Sequence, residues 1–469
     1  MQLPFPKFFL QNSQRRFLVV GDVFLDDYLY GSVKKVSTGI KIPIVDQESS
    51  LLALGGAGNV AANIAGLSTH VSLVAQVGED ECGGQIRKLL DSKGICPLLL
   101  PTDKSIRKQR VCVDGQQIVR IDSGSHSSPD YIAQKRMIDE AQCDVIVIAD
   151  YLYGTVDQRV LDICKQKAKK ESIPILMSSR RIYDYDLSGV QVVVANRDEC
   201  EGLKDGCFVP SAGSGQALVV TKGEEGMTLL ADGAETSFAA LSKHPKNVSG
   251  AGDTVLAVLA FFQGSELSIR EACEMANVAA ALAVEDPLTY AISRERLLAG
   301  TFDASCRQNT DAKFVDADCG RIIAEAWKRA GRKIVFTNGC YDLLHLGHLH
   351  SLSEARKFGD KLVVGVNSDA SIRRIKGDSR PVNKLAERVR ALSYLETVDM
   401  IIAFEGDTAV DLLQMLQPDV YAKGEEYKDK ELPEADFARK VEYIPMLEGF
   451  STTGLLAKVA EARGVGGGK

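Results

Sequence analysis

The sequence predicts an α/β protein with two domains, each built on a mainly parallel sheet. Short runs of aliphatic and β-branched residues, such as 17–20, 71–75 and 144–148, have the pattern of buried strands. Segments with helical apolar spacing, such as 59–66 and 158–169, alternate with them. A length of 469 residues also exceeds one ordinary domain. Strands and helices in alternation indicate a parallel sheet covered by helices on both faces.

Further strands follow along the chain. In the first half they are predicted at 173–177, 190–194 and 217–220. In the second half a strand at 333–337 precedes a helix, and another strand follows at 362–366 after a Gly-Asp turn. The order strand, helix, strand implies a parallel pair with a right-handed crossover.

The domain boundary is predicted near residue 310. The stretch 301–318 is polar and lacks apolar periodicity, so we expect it to be a linker. An amphipathic helix at 321–330 then leads into the second domain. The predicted domains are therefore 1–310 and 311–469.

Composition excludes several classes of protein. A net charge of −7, with 56 Lys and Arg against 63 Asp and Glu, gives no broad basic field for nucleic acid. No stretch approaches the roughly 20 apolar residues that a membrane helix needs. Eleven scattered cysteines without a CxxC pattern predict reduced thiols and a cytoplasmic location. We expect neither nucleic-acid nor membrane partners.

A first glycine-rich segment, Gly-Gly-Ala-Gly-Asn at 55–59, directly precedes a predicted helix. Its glycines would let the backbone approach a ligand closely, and Asn59 could cap the helix or contact a hydroxyl-rich molecule. A glycine-rich turn followed by a capped helix explains the segment equally well.

A second segment, at 247–254, is more specific. Gly250, Ala251 and Gly252 would present successive N–H groups at the start of an apolar helix. Such an arrangement suits the charge on a transferred phosphoryl group. Asp253 could accept a proton from a substrate hydroxyl. The alternative is a helix start where an acidic residue merely favours the helix dipole.

The two glycine-rich segments occur together with Gly-Asp at 21–22, Asn-Arg-Asp-Glu at 196–199 and Thr-Lys-Gly at 221–223. Their order is that seen in the ribokinase-like (PfkB) sugar kinases, which residues 15–300 resemble. The resemblance implies a ribokinase-like three-layer domain, ATP as phosphoryl donor, and Mg²⁺. Asn196 and Glu199 could instead be ordinary polar residues of a loop and a helix start, and Glu199 is only a candidate for organising magnesium. The resemblance assigns the base to Asp253, sugar binding to Asp22, Gly56 and Asn59, and nucleotide or phosphate binding to Asn196, Glu199, Gly250 and Gly252.

The segment 337–348 carries the most specific pattern in the chain. Thr-Asn-Gly-Cys-Tyr-Asp is followed by His345 and His348, with Gly347 between them, where a strand passes into a helix. The imidazoles could donate hydrogen bonds to a reacting α-phosphate, a role that requires alignment rather than a nucleophile. No HExxH context or cysteine partner supports a zinc site. A chance pair of core histidines is the remaining alternative.

This pattern resembles the HxGH nucleotidyltransferases, a Rossmann-like, cytidylyltransferase-like superfamily. The resemblance implies transfer of a nucleotidyl group to a phosphorylated sugar or alcohol. A loop lysine such as Lys376 could instead be simply solvated, and Arg388 could form a surface pair with Lys384 or Glu387. The residues implied are His345 and His348 as catalytic groups, and Asn338, Gly339, Lys376, Arg380, Lys423, Ser451 and Thr452 as nucleotide or phosphate contacts.

The order of the two domains resembles the bifunctional enzymes that make ADP-activated heptose for lipopolysaccharide in Gram-negative bacteria. The resemblance implies phosphorylation of heptose 7-phosphate by ATP at the anomeric hydroxyl, then adenylyl transfer from ATP to heptose 1-phosphate with release of pyrophosphate. Its implied partners are sugar phosphates, ATP and a second copy of the chain, as a homodimer.

Departures from the family pattern lie in the first half of the chain. Thr-Gly-Ile-Lys stands at 38–41 where the family has Pro-Glu-Ala-Pro, and Tyr153 replaces a lysine. Ser-Ser-Arg stands at 178–180 for Asp-Pro-Lys, and 284–288 departs from a glycine-rich adenine loop. The alternative is a monofunctional nucleotidyltransferase, ADP- or CDP-forming, with a catalytically silent kinase-like dimerisation or sugar-binding domain.

Overall fold

The computed structural model describes residues 14–37, 42–114, 116–125, 128–201, 210–242, 245–285, 291–445 and 447. Contacts divide the chain into a first unit, Lys7–Leu297, and a second unit that contains Leu298–Lys469. Each unit is built on its own parallel sheet, which confirms the predicted α/β class. No helix in the described part is long and apolar enough to cross a membrane.

The first unit contains a nine-stranded sheet in the order β13-β12-β11-β10-β9-β8-β1-β4-β5, and a four-stranded sheet in the order β3-β2-β6-β7. In the larger sheet β12 pairs antiparallel with β11 and with β13, and the other pairings are parallel. In chain order the elements are β1 (Arg16–Gly21), β2 (Val23–Val36), β3 (Pro43–Gly56), α1 (Ala57–Leu67), β4 (His70–Gly78), α2 (Glu81–Ser92), β5 (Ile95–Thr102), β6 (Lys104–Val113), β7 (Gln116–Ser125), α3 (Tyr131–Glu140), β8 (Val145–Asp150), α4 (Gln158–Glu171), β9 (Ile175–Ser179), β10 (Val192–Asn196), α5 (Arg197–Glu201), β11 (Ala217–Thr221), β12 (Met227–Ala231), β13 (Ala234–Phe238), α6 (Ala251–Phe262), α7 (Ile269–Glu285) and α8 (Arg294–Gln308).

The smaller sheet was not predicted from the sequence. Only one residue separates the end of β1 in the larger sheet from the start of β2 in the smaller one. Strand β2 pairs antiparallel with β3 and parallel with β6. Asp26 and Asp27 interrupt its apolar run, yet both are buried because arginines on β6 pair with them. The sequence pattern of this strand is hard to recognise because the charges that interrupt it are neutralised by arginines about 80 residues later in the chain.

Helices α1 and α6 pack together on the larger sheet, beside β1. Helix α6 is buried on all sides from Asp253 to Phe262, as its almost wholly apolar sequence requires. Its Phe261 ring stacks on Phe17 of β1, with the ring centroids 6.4 Å apart. This packing brings the first turns of α1 and α6 together, and the two glycine-rich segments precede those turns.

The second unit contains a six-stranded sheet in the order β14-β17-β16-β15-β18-β19, in which every pairing is parallel. The predicted strand, helix, strand unit is confirmed as β15, α10 and β16, with β15 and β16 paired side by side. After α8 the elements are β14 (Phe314–Val315), α9 (Ala317–Arg329), β15 (Ile334–Gly339), α10 (Leu346–Arg356), β16 (Lys361–Asn367), α11 (Asp369–Lys376), α12 (Leu385–Ser393), β17 (Met400–Phe404), α13 (Val410–Leu416), β18 (Val420–Gly424) and β19 (Val441–Ile444).

The prediction of a linker at 301–318 is wrong. Helix α8 runs to Gln308, and its residues Leu298, Phe302 and Cys306, four apart, are buried. The Phe302 ring packs edge-on against Trp327 at 5.6 Å. The apolar period begins before residue 301, so a window that starts there misses it. The two units divide between Leu297 and Leu298, at one end of this helix, and the predicted boundary near residue 310 lies at its other end.

We therefore expect a fragment of residues 294–469 to unfold at a higher temperature than one of residues 320–469. The shorter fragment loses Phe302 and the carboxylate of Asp303, which accepts hydrogen bonds from Trp327 (3.2 Å) and Lys361 (2.9 Å). Loss of the Phe302 ring alone should cost about 3–5 kcal/mol of unfolding free energy. Circular dichroism melts of the two fragments test this, and equal midpoints would contradict it.

Candidate active sites

The first candidate site centres on the start of helix α6. Gly250 precedes the helix with φ of 83°, a left-handed conformation that favours glycine. A Cβ at Gly252 would meet no atom within 4 Å, so space opens in front of this turn. The backbone amides of a helix start that faces open space form a place for an anion.

Asp253 lies in the first turn of α6 and is 7% exposed. Its Oδ2 accepts a hydrogen bond of 2.9 Å from Asn59 Nδ2, and its Oδ1 accepts one from the Tyr151 hydroxyl. Burial raises the pKa of Asp253 to about 6, and the two donors oppose that rise. The carboxylate is thus mostly ionised at neutral pH and able to take up a proton, as a general base must.

Asn59 is aimed at this carboxylate by a second amide. Asn63 Nδ2 donates to the Asn59 side-chain oxygen at 3.1 Å, one turn along α1. The suggestion that Asn59 caps the helix is wrong, because Gly56 occupies the cap position and no side chain caps it. Gly56 has φ of 59°, and a Cβ there would lie 2.4 Å from the backbone oxygen of Asp22, so the position requires glycine.

Asp22 is fully buried, and its carboxylate accepts hydrogen bonds from the loop that carries Tyr151. The donors are the backbone N–H groups of Tyr151 (2.8 Å), Tyr153 (3.0 Å) and Thr155 (2.9 Å). Asp150 supports the same loop through the N–H of Leu152 at 2.8 Å. Asp22 therefore holds Tyr151 in place, and its predicted contact with the sugar remains a prediction.

A cavity of about 720 Å³ opens in front of α6, within the size range of small-molecule sites. It is apolar on the side of Met227, Ala281 and Val284 and polar near Tyr151 and Arg180. The cavity collects most of the residues predicted to bind nucleotide or catalyse transfer in this unit, namely Asn196, Glu199, Gly250, Gly252 and Asp253.

Asn196 and Glu199 cap the helix α5 reciprocally. The Asn196 side-chain oxygen accepts from the Glu199 N–H at 2.9 Å, and Glu199 Oε2 accepts from the Asn196 N–H at 2.8 Å. Both residues are therefore polar groups of a helix start, as the alternative interpretation held, and both also line the cavity. Burial raises the pKa of Glu199.

Sequence reasoning missed three residues of this site: Tyr151, Asp26 and Lys108. The charge of Asp26 raises the pKa of Asp253, and that of Lys108 lowers it, so both lie near the base. The signal for Asp26 was present, since acidic residues inside an apolar strand pattern must be paired or functional. Tyr151 gave no such signal, because only the fold turns its hydroxyl toward Asp253.

The second candidate site lies where β15 passes into α10. The rings of His345 and His348 lie face to face at a tilt of 30°, with centroids 3.9 Å apart, and the Tyr341 ring centroid lies 5.4 Å from that of His348. Burial is the main cause that lowers the pKa of His348 to about 4, and the charges of His345 and Lys376 add to it. Burial also lowers the pKa of His345. Both rings are therefore neutral at pH 7, and each can donate one N–H.

Two arginines near these histidines are committed to protein partners. Arg380 pairs with the buried carboxylate of Asp342, which also accepts from the Val382 N–H at 2.7 Å. Arg388 is 1% exposed, donates to the Cys340 carbonyl at 2.6 Å and pairs with Asp369 at 2.8 Å. The suggestion of a surface pair for Arg388 is wrong. The role of Arg380 in phosphate binding stays a prediction.

The other predicted contacts of the second unit surround the same strand ends. Asn338 and Gly339 end β15, and the Asn338 side-chain oxygen lies 2.9 Å from the Tyr421 hydroxyl. Lys423 is buried beside the Tyr427 ring, 4.6 Å from its centroid, and burial lowers the pKa of its ammonium. Ser451 and Thr452 lie outside the described residues, so the anion site expected there stays a prediction.

Comparison with known proteins separates the same two regions. Residues 19–296 match the model of the pfkB family of carbohydrate kinases, and residues 336–449 match the cytidylyltransferase-like model. The bifunctional protein HldE of Geotalea uraniireducens is 36% identical over 481 residues, which cover 96% of this chain and 97% of that protein. HldE of Geobacter sulfurreducens is 35% identical over 473 residues, covering 95% of this chain and 96% of that protein.

Solved structures also resemble the chain. Phosphofructokinase-2 from Escherichia coli in complex with potassium is similar with a TM-score of 0.51 and 16% identity, covering 61% of this chain and 98% of that one. The same enzyme in complex with substrates and products gives a TM-score of 0.51 at 17% identity, with the same coverage. At such low identity the likeness establishes the fold alone.

The contacts of Asp253 predict how phosphoryl transfer depends on pH. A base with a pKa of about 6 loses activity as the pH falls through 6. Tyr151→Phe removes a donor that favours the ionised carboxylate, so this acid limb should move up by roughly one to two pH units. The measurement is kcat/KM for phosphoryl transfer from pH 5 to 9, with Tyr153→Phe as control. An unmoved acid limb in Tyr151→Phe would show that its hydroxyl does not act on the base.

Proposed function

This chain belongs to the family of bifunctional HldE proteins, and we propose that it makes ADP-activated heptose in two steps. The first unit is a pfkB carbohydrate kinase and the second a nucleotidyltransferase. The first would phosphorylate heptose 7-phosphate with ATP at the anomeric hydroxyl. The product of that step carries two phosphates, and its 7-phosphate must be removed by a separate hydrolysis. The second unit would then transfer the adenylyl group of ATP to the resulting heptose 1-phosphate and release pyrophosphate. The observation that carries the proposal is the buried carboxylate of Asp253, which is held by two donors at a helix start that faces a cavity. The same chain holds two adjacent neutral histidines.

In the kinase step Asp253 takes the proton of the anomeric hydroxyl as its oxygen attacks the γ-phosphorus of ATP. The bond from that phosphorus to the bridging oxygen breaks, and ADP leaves. The amides that begin α6 face the transferred group, where they can stabilise its charge. Asn59 and Tyr151 hold the carboxylate in place, so little reorganisation is needed before transfer.

The departures from the family pattern leave this machinery intact, which supports an active kinase over a silent domain. Ser179 donates to Asp150 at 2.6 Å, and so helps to brace the loop that carries Tyr151. Arg180 lines the nucleotide-sized cavity, where a cation is useful for binding phosphates. Tyr153 keeps its backbone bond to Asp22. The segments at 38–41 and 286–288 lie outside the described residues.

Mg²⁺ fits the cavity as an ion shared between protein and ATP. Within the described ranges, no group of three or more His, Cys, Asp or Glu side chains could hold a metal by itself. Magnesium in such enzymes uses one or two carboxylates and completes its shell with phosphate oxygens and water, and Glu199 on the cavity wall suits that role. When bound, the ion neutralises phosphate charge during transfer.

In the adenylyl step an oxygen of the sugar 1-phosphate attacks the α-phosphorus of ATP, and pyrophosphate leaves. No base is needed, because the attacking phosphate is already ionised. His345 and His348 each supply an N–H donor to the α-phosphate oxygens, and Lys376 adds positive charge nearby. A CDP-forming activity is the alternative, and comparison of ATP with CTP as substrate separates the two.

We also propose a cytoplasmic homodimer. The ten cysteines in the described part of the chain are all free thiols, as expected in a reducing compartment. The four-stranded sheet exposes apolar side chains that a second copy could cover, among them Val119 and Ile121, which lie on the same face of β7. Analytical ultracentrifugation measures the oligomeric state directly.

Asp253→Asn tests the kinase assignment. The amide keeps the shape and can accept from Asn59 while it donates to the Tyr151 oxygen, so the melting temperature should barely change. Phosphoryl transfer to heptose 7-phosphate should fall by about 10² or more, because a positioned base contributes that much. Adenylyl transfer from ATP to heptose 1-phosphate should persist. Equal kinase activity in the variant would show that the base lies elsewhere, and an inactive wild type would favour the silent-domain alternative.

His348→Ala is the reciprocal test. Loss of one preorganised donor to the α-phosphate should lower adenylyl transfer by roughly 10²–10³ and leave phosphoryl transfer unchanged. Mass spectrometry of the products from heptose 1-phosphate, ATP and magnesium should then show little ADP-heptose, while heptose 7-phosphate is still converted to the bisphosphate. Near-normal production of ADP-heptose would remove His348 from the mechanism.

A further inference from the structure

Lys108 carries a buried ammonium that no acidic partner neutralises directly. It lies on β6 and is 3% exposed. Its Nζ lies 3.5 Å from the centroid of the Phe24 ring, 5.2 Å from that of Tyr153 and 5.5 Å from that of Tyr151. Among the residues that the structure describes, none forms a hydrogen bond or ion pair with this ammonium.

The neighbouring cations of the same strand behave differently. Arg107 pairs with Asp27, and Arg110 pairs with Asp26 at 2.9 Å. Of these three cations on β6, two are therefore paired with carboxylates of β2, and only Lys108 lies against the rings of Tyr151 and Tyr153. The unpaired side chain, that of Lys108, is the most deeply buried of the three. Burial of an unpaired charge lowers the stability of a protein.

The surroundings of Lys108 do not offset this cost. Burial is the main cause that lowers the pKa of its ammonium to about 8, and the charges of Arg180 and Arg120 lower it further. Asp26 and Asp122 act in the opposite direction without forming an ion pair to it. Aromatic rings recover only part of the cost of a buried cation. The buried ammonium of Lys108 therefore becomes favourable only when an anion pairs with it.

The position of Lys108 identifies which anion this is. Its Nζ lies 5.5 Å from the centroid of the Tyr151 ring, and the Tyr151 hydroxyl donates to Asp253, so the ammonium lies close to the base that would receive the proton of the acceptor hydroxyl. It does not line the nucleotide-sized cavity, which Arg180 does line. Phosphates of ATP thus meet Arg180 and the start of α6, and Lys108 is left for an anionic group of the acceptor.

We propose that Lys108 binds the phosphate group carried by the acceptor sugar, and so selects sugar phosphates over free sugars. The inference rests on the proposed kinase function. A phosphate dianion beside the ammonium would form the charge-assisted hydrogen bonds that the protein itself does not supply. Phe24, Tyr151 and Tyr153 would shield that ion pair from water and thereby strengthen it.

Lys108→Met in the full-length protein tests this, with Lys104→Met as the matched control. Lys104 begins the same strand and is exposed. In Lys108→Met we expect the KM for heptose 7-phosphate to rise roughly 10- to 100-fold, as for loss of a hydrogen bond to a charged group. The kcat should stay within a few fold when each protein is compared at its own optimal pH, because the charge of Lys108 lowers the pKa of Asp253. The preference for heptose 7-phosphate over unphosphorylated heptose should fall by about the same factor as the KM rises. Lys104→Met should match the wild type throughout.

Thermal unfolding supplies a readout that separates binding from a structural role. Methionine places an apolar chain among aromatic rings and removes a buried charge, so the melting temperature should stay the same or rise. An unchanged KM would overturn the proposal. A kcat that falls equally for sugar and sugar phosphate would assign Lys108 to the transferred group and also overturn it. A Lys108→Met protein that fails to fold would show a structural ammonium, with the same consequence.

Calorimetry with heptose 7-phosphate in the absence of ATP distinguishes this inference from the proposed function. If the wild type binds the sugar phosphate without turnover and Lys108→Met binds it at least about tenfold more weakly, the phosphate site stands and the kinase function fails. If the wild type turns it over and both proteins bind it equally, the phosphate site alone fails. A wild type that neither binds nor converts it would overturn both.

Discussion

Backbone N–H groups from Tyr151, Tyr153 and Thr155 converge on one buried carboxylate, that of Asp22, and the geometry of the first site depends on this arrangement. A buried carboxylate must be satisfied by donors, and a loop that supplies them loses its freedom. The fixed loop aims the Tyr151 hydroxyl at Asp253, while α1 delivers Asn59 from the other side. The base is thus prepared by residues from distant parts of the first unit.

Charge is used in opposite ways at the two sites. In the first unit, Asp253 has a pKa of about 6 and Lys108 one of about 8, so both remain mostly charged at neutral pH despite burial. In the second unit, burial keeps His345 and His348 neutral, and the charge of Lys376 adds to the effect on His348. The difference follows the chemistry, because a base for a hydroxyl must be ionised, whereas a neutral imidazole can still donate to a phosphate oxygen.

The boundary region shows how a local pattern misleads. Residues 301–318 look polar in isolation, yet Phe302 and Cys306 continue an apolar row that begins at Leu298. The row becomes visible only when the helix is followed from its start. Asp303 also looks like a solvated linker residue, although it accepts hydrogen bonds from Trp327 and Lys361. Polar residues that serve a neighbouring element cannot be told from exposed ones by composition.

The sequence by itself determined the α/β class, the two-part organisation and the segments that face each site, because apolar periodicity and glycine-rich turns are local properties. It singled out the segments that carry Asp253, Asn59, His345 and His348 for the same reason, and the roles of these residues stay predictions. Only the tertiary structure decided that Asp22 braces a loop, that Tyr151 contacts the base and that Lys108 lies among aromatic rings with no ion-pair partner in the described part of the chain. Pairing, burial and the resulting pKa shifts depend on residues far apart in the chain, and no local pattern encodes them.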